Sequence, residues 1–150
     1  MIINEMRLDF AALPENESFA RMAVSGFILP LDPTIEELAD IKTAVSEAVT
    51  NAIIHGYANR RGTVRLHGAY DETGTVRIDV IDRGCGIADV EKARQPFYTT
   101  ASGEERSGMG FTVMESFMDA LFVESRLGQG TTVRLVKRVS AREQALPRRA

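Results

Sequence analysis

Ser46-Glu47-Ala48-Val49-Thr50-Asn51-Ala52-Ile53-Ile54-His55-Gly56-Tyr57 is the stretch from which the rest of the chain is read. Glu47, Asn51 and His55 recur every four residues and share one face of a helix. Leu38, Ile41, Val45, Ala48 and Ala52 make a separate apolar stripe on the same helix, so it packs against a neighbour by a different side. Upstream, Pro33 and the capping-box pattern Thr34-x-x-Glu37 start this helix. At its other end His55-Gly56 closes it, with Gly56 suited to a left-handed cap.

On the N-terminal side, Met6, Leu8 and Phe10 alternate with Arg7 and Asp9 as a half-buried strand does. Pro14 suits a first helical turn, and Phe19, Met22, Ala23 and Phe27 recur at helical spacing up to about Leu29, before Pro30. On the C-terminal side, Val64, Leu66, Gly68 and Tyr70 share one phase of a second strand. Asp71-Glu72-Thr73-Gly74 is a turn, and Val76, Ile78 and Val80 form a third strand ending at Asp82. A short helix over about Asp89–Ala93 follows, then an aperiodic loop from Gln95 to Gly110 of the kind that is usually functional or disordered. Phe111, Met114, Met118 and Leu121 mark another helix. Phe122–Ser125 and Thr131–Val139 pair as a hairpin around Leu127-Gly128-Gln129-Gly130. Interleaved helices and hairpin-paired strands predict an α/β (α+β) two-layer sandwich, a mixed or antiparallel sheet covered on one face by helices.

Three stretches carry chemistry. An Asn51 carbonyl oxygen is a hard ligand suited to Mg2+, and a carboxylate one turn earlier, Glu47, can take a proton from a hydroxyl beside it. The same spacing also describes any polar helix face. Asp82-x-Gly84-x-Gly86 sets a carboxylate at a strand end, where it can accept from the amino group of adenine and repel the carbonyl of guanine; an ordinary strand–turn reads the same way. Ser107-Gly108-Met109-Gly110 opens a helix whose N–H groups can receive phosphate oxygens, or is a flexible joint. Arg106 pairs with a phosphate there or is a solvated charge. Gly128–Thr132 is first a hairpin turn, although a threonine hydroxyl in it can help to read an adenine edge. Cys85 reads as a small pocket-lining side chain rather than a nucleophile, having no histidine close in sequence. There is no Gly-x-x-x-x-Gly-Lys-Ser/Thr and no zinc-type cluster, and two histidines give little support to a Ser-His-Asp triad.

The 150 residues suggest one domain over 1–139 with a frayed tail over 140–150. A single cysteine excludes an intrachain disulfide and fits a reducing cytoplasm. No apolar stretch of 18 residues is present, and the N-terminus does not read as a signal peptide. A net charge of −3 gives no reason to expect nucleic acid as a direct partner. The charge is uneven, with nine acids against three bases in residues 1–56 and twelve against fifteen in residues 57–150. Solvated surface is the commoner meaning of such asymmetry.

At these residues the sequence resembles the ATPase superfamily shared by gyrase, heat-shock chaperones, histidine kinases and mismatch-repair proteins (GHKL). Within it, the chain is most similar to the bacterial anti-sigma factor/serine-kinase branch, and to its sporulation members. Residues 46–57 resemble the first box of that family and Asp82–Ile87 its adenine box. Gln95–Thr100 with Glu105–Phe111 resembles its ATP lid and second glycine box. The resemblance implies a Bergerat-type ATP-binding fold with ATP and Mg2+ as cofactors. It implies Glu47 as general base, Asn51 as the Mg2+ ligand, Asp82 on the adenine amino group, and Arg106 near the terminal phosphate. Gly84, Gly86, Thr99, Ser107, Gly108, Met109, Gly110 and Thr131 would line the nucleotide. Arg21 matches a partner-contacting position. The implied activity is dual: holding an RNA polymerase sigma factor, expected to be a sporulation one, and phosphorylating a serine on an anti-anti-sigma protein, as a homodimer with no membrane association. The alternative from another class is a nucleotide-gated sigma-binding module without phosphotransfer. A histidine kinase would need a helical domain carrying a phosphoacceptor histidine, and a self-contained hydrolase a second catalytic domain.

Overall fold

Alternation of apolar and polar residues decides the sheet. In the computed structural model, which describes residues 1–96 and 110–140, β1 (Ile2–Ala11), β2 (Thr63–Asp71), β3 (Thr75–Asp82), β4 (Ala120–Arg126) and β5 (Gly130–Arg138) form one sheet in the order β1-β2-β3-β5-β4. Every pairing is antiparallel, which settles the mixed-or-antiparallel expectation. In register, Leu8 faces Leu66, Ile78 faces Leu135 and Val80 faces Val133, so the apolar phases of neighbouring strands fall on one face. The opposite phase is polar and joined across strands. Arg65 reaches Asp9 at 2.8 and 3.0 Å, and Arg134 reaches Asp79 at 2.8 and 2.9 Å.

Helices α1 (Asn16–Ile28), α2 (Ile35–Asn51) and α4 (Gly110–Phe117) cover the apolar face, α2 lying between the other two. The capping box that starts α2 forms in full, Thr34 Oγ1 accepting from the Glu37 N–H and Glu37 Oε1 from the Thr34 N–H. Ile41, Val45 and Ala48 are buried as their spacing predicts. Each large apolar side chain fully buried here contributes about 1.5–3 kcal/mol. The short helix α3 (Val90–Ala93) is capped by Asp89. A 3-10 turn, Leu29–Leu31, ends α1 at Pro30.

Four expectations are corrected. The buried face of α1 is Ala20, Val24 and Ile28, of which Ala20 and Val24 are smaller than the Phe19 and Met22 expected there. Met22 is 71% exposed, and Phe19 lies half outside with its ring edge-on to Phe10. Pro14 precedes the helix in a turn instead of sitting inside its first turn. Leu121 belongs to β4, not to the preceding helix, because the Asp119 N–H donates to Val136 O and turns the chain into the sheet. Gly56 has no left-handed backbone. The helix ends instead in a π-helical turn, Ala52–Gly56, and the positive φ values fall on Ala58 and Asn59. At the C-terminal end, the Ser140 N–H and hydroxyl donate to Glu37 Oε2, and residues 141–150 of the expected tail lie outside the described residues.

Candidate functional site

The polar face of α2 carries Glu47 and Asn51, both partly buried. His55 falls in the π-helical turn, Ala52–Gly56, that follows α2. That turn sets the α2 end against the loop after β3. A Cβ on Gly56 would stand 2.7–2.9 Å from the Asp82 carboxylate, so only glycine leaves the carboxylate its place. The Gly56 carbonyl accepts the Cys85 N–H at 2.7 Å, and the close approach of Gly84 to that carbonyl leaves no room for a side chain.

Asp82 is the last residue of β3 and pairs in register with Thr131. It is only 6% exposed, and its Oδ1 accepts the Gly84 N–H at 2.9 Å. Burial pushes the carboxyl above the ordinary Asp value, opposed by hydrogen bonds from the Gly84 and Thr131 backbones. A carboxylate has about four acceptor sites, so these two bonds leave capacity for a further donor. A buried acceptor of this kind suits a ligand amino group.

On its far side the loop is tied to the β4–β5 hairpin. The Gly128 N–H donates to Cys85 O at 2.6 Å, and the Ile87 N–H to Ser125 Oγ at 2.7 Å. Ser125 Oγ also lies 2.8 Å from Thr131 Oγ1, which fixes the threonine hydroxyl. Gly86, at φ +73°, and Gly130, at φ +100°, take conformations that side chains disfavour while passing close to main chain, Gly86 beside Arg126 and Gly130 beside Asp82. Cys85 is exposed, its Sγ donating to His55 O at 3.0 Å. Gly110 opens α4, whose first turn holds no acidic residue to oppose an anion.

The structure thus brings Asp82, Gly84, Gly86 and Thr131 together at the loop that meets the end of the helix carrying Glu47 and Asn51, with Gly110 on the helix packed beside α2. Thr99, Arg106, Ser107, Gly108 and Met109 lie outside the described residues. Arg21 stands apart on α1, its guanidinium 3.4 Å from Ser18 Oγ and 3.7 Å from Glu17, which also accepts from Ser46 of α2. Sequence reasoning missed the Ser125–Thr131 pair and gave Tyr57 no role. The one signal for Tyr57 was its place directly after Gly56. Among the described residues no cluster of three His, Cys, Asp or Glu side chains could hold a metal by itself. The donor set fits Mg2+ held by one amide oxygen together with phosphates and water. No helix among the described residues is long and apolar enough to cross a membrane.

The histidine kinase-like ATPase domain family matches residues 10–137. Proteins named Anti-sigma F factor are similar over nearly their whole length. That of Thermoanaerobacter pseudethanolicus is 56% identical over 138 residues, 92% of this chain and 96% of its own. That of Geobacillus stearothermophilus is 57% identical over 134 residues, 89% of this chain and 92% of its own. Among solved structures, the RsbU and RsbW domains of Rv1364c from Mycobacterium tuberculosis share the fold at a TM-score of 0.67 and 24% identity, over 91% of this chain and 32% of that one. The histidine kinase domain of the Erythrobacter litoralis EL346 blue-light activated kinase aligns at 0.54 and 25%, over 72% of this chain and 47% of that one.

Proposed function

Since the chain belongs to the histidine kinase-like ATPase domain family, we propose that it binds ATP with Mg2+, captures an RNA polymerase sigma factor, and phosphorylates a serine of an opposing anti-anti-sigma protein. The observation that carries this reading is the buried Asp82 carboxylate, fitted against the end of the helix that bears Glu47 and Asn51. The relatives' shared name supports the sigma-factor partner, at 54–58% identity over about nine-tenths of the chain.

In this reading Asp82 accepts from the adenine amino group and faces a guanine carbonyl with like polarity, which sets the base preference. Asn51 offers its carbonyl oxygen to Mg2+, while Glu47 takes the proton of the incoming serine hydroxyl one turn away. ATP·Mg2+ supplies the phosphoryl group and the cation that offsets its charge. The N-terminus of α4, whose first turn holds no acidic residue, would receive phosphate oxygens, and the resemblance assigns Thr99, Ser107, Gly108 and Met109 to the nucleotide and Arg106 to the terminal phosphate. Arg21 on α1 contacts the protein partner, and the protein works as a cytoplasmic homodimer.

The deciding experiment is the intact mass of a candidate anti-anti-sigma protein after incubation with this chain and ATP·Mg2+, with Glu47→Gln in parallel. One phosphate added by wild type and none by the variant is expected. Normal transfer by Glu47→Gln removes the base assignment. No transfer alongside intact ATP binding favours a nucleotide-gated sigma-capturing module.

A further inference from the structure

Three consecutive N–H groups hold the loop that presents Asp82. The Gly84 N–H goes to Asp82 itself and the Cys85 N–H to the Gly56 carbonyl, while the Arg83 N–H donates to the Tyr57 hydroxyl at 2.8 Å. Only the last of these depends on a side chain outside the loop. The same hydroxyl donates to Thr63 O at 2.6 Å, so both functions of the phenol are used, and it joins the α2 end, the first residue of β2 and the residue after Asp82. Its ring packs against Gly62, where a Cβ would stand 2.4–2.6 Å from three ring atoms. The ring contact and the two hydrogen bonds together hold the hydroxyl in place.

We propose that Tyr57 is a positioning residue for the base-binding side of the pocket: its hydroxyl fixes the loop from Arg83 to Cys85 and so the aim of the Asp82 carboxylate. Tyr57 touches no ligand in this assignment and acts through Asp82. The assignment rests on the ATP reading above. Tyr57→Phe is the discriminating change, because it keeps the ring over Gly62 and removes only the hydroxyl.

Two measurements on the intact chain test it. Amide hydrogen exchange in nucleotide-free protein should rise about fivefold or more at residues 83–85 in the variant and stay unchanged at residues 76–80 of β3. Calorimetric titration with ATP·Mg2+ should show roughly five- to tenfold weaker binding, as expected when one ordering hydrogen bond is lost. Unchanged exchange at 83–85 overturns the proposal, as does a rise spread evenly over β3, which would mark general destabilisation. Faster local exchange with wild-type ATP affinity also overturns it, since the loop would then be held to no purpose at the ligand. Wild-type protein that fails to bind ATP·Mg2+ overturns the ATP reading instead, and the positioning role falls with it whatever the exchange data show.

Discussion

Gly56→Ala tests whether the site is assembled as described. The added Cβ would lie 2.7 Å from Asp82 Cγ and 2.8 and 2.9 Å from its two oxygens, against about 3.4 Å or more for ordinary contact. The carboxylate must recede by roughly half an ångström, and its 2.9 Å bond from the Gly84 N–H stretches beyond useful length. Crowding of this kind costs about 1–3 kcal/mol. Against it stands a gain of about 0.4–1 kcal/mol from a less flexible unfolded chain, since Gly56 has no positive φ to lose. Crowding wins by about 1–2 kcal/mol, a fall of about 2–8 °C in Tm for a domain of this size. The displaced carboxylate should also weaken ATP by about 10- to 100-fold, since a hydrogen bond to a charged group contributes about 1.5–3 kcal/mol. Gly26→Ala is the internal control, because nothing lies within 4 Å of the Cβ it would add on the exposed side of α1, and it should raise Tm by about 1–4 °C. Thermal unfolding followed by circular dichroism and calorimetric titration with ATP·Mg2+ read both effects. A Gly56→Ala protein that melts at or above wild type and binds ATP normally would refute the close approach of α2 to Asp82.

Asp82→Asn should melt higher than wild type at pH 7 and lose at least about tenfold in ATP affinity. Burial raises the Asp82 carboxyl, so the stability linked to its protonation is complete below the ordinary Asp value and disappears as pH rises through the raised one. The Tm gain of the variant should accordingly shrink on acidification, and a gain that is constant with pH would contradict the desolvated carboxylate. Asn51→Ala should abolish the difference between ATP titrations with Mg2+ and with excess chelator; persistence of that difference would move the metal ligand elsewhere. Arg134→Ala should cost about 1–3 kcal/mol in denaturant unfolding, because Asp79 is 4% exposed and loses both its guanidinium bonds, while ATP affinity should hold. A neutral result would mean that water replaces the arginine on that face.

The helix α2 was legible because a capping box and the apolar stripe from Leu38 to Ala52 agree on its start and its buried side. Met6, Leu8 and Phe10 revealed the phase of β1 but not its length, since the register shifts between Ile2 and Asn4 and breaks the alternation there. On α1 the large side chains drew the eye to Phe19 and Met22, whereas packing chose the smaller Ala20 and Val24. Glu47, Asn51, Asp82 and Thr131 were legible as a set only through resemblance, because each sits in a pattern with an ordinary structural meaning. The reason for Gly56 was not legible at all. Helix-end rules account for a glycine there, but the group that requires it is Asp82, 26 residues onward and met only in the folded chain. Pairs such as Arg134 with Asp79, 55 residues apart, are hidden from sequence in the same way.

A loop gripped by its own amides leaves its side-chain slots open to drift. At positions 83 and 85 the N–H groups reach Tyr57 and Gly56, and any residue except proline supplies an N–H. Those two positions can therefore diverge among descendants without altering the curve of the loop. Gly56 and Gly84 cannot, since their neighbours occupy the space a methyl group needs. Saturation mutagenesis across residues 56–86 would show this as an alternation of permissive and intolerant positions within Asp82-Arg83-Gly84-Cys85-Gly86. Arg83 and Cys85 are thus the slots through which selection can retune the rim of the pocket while its frame stays fixed.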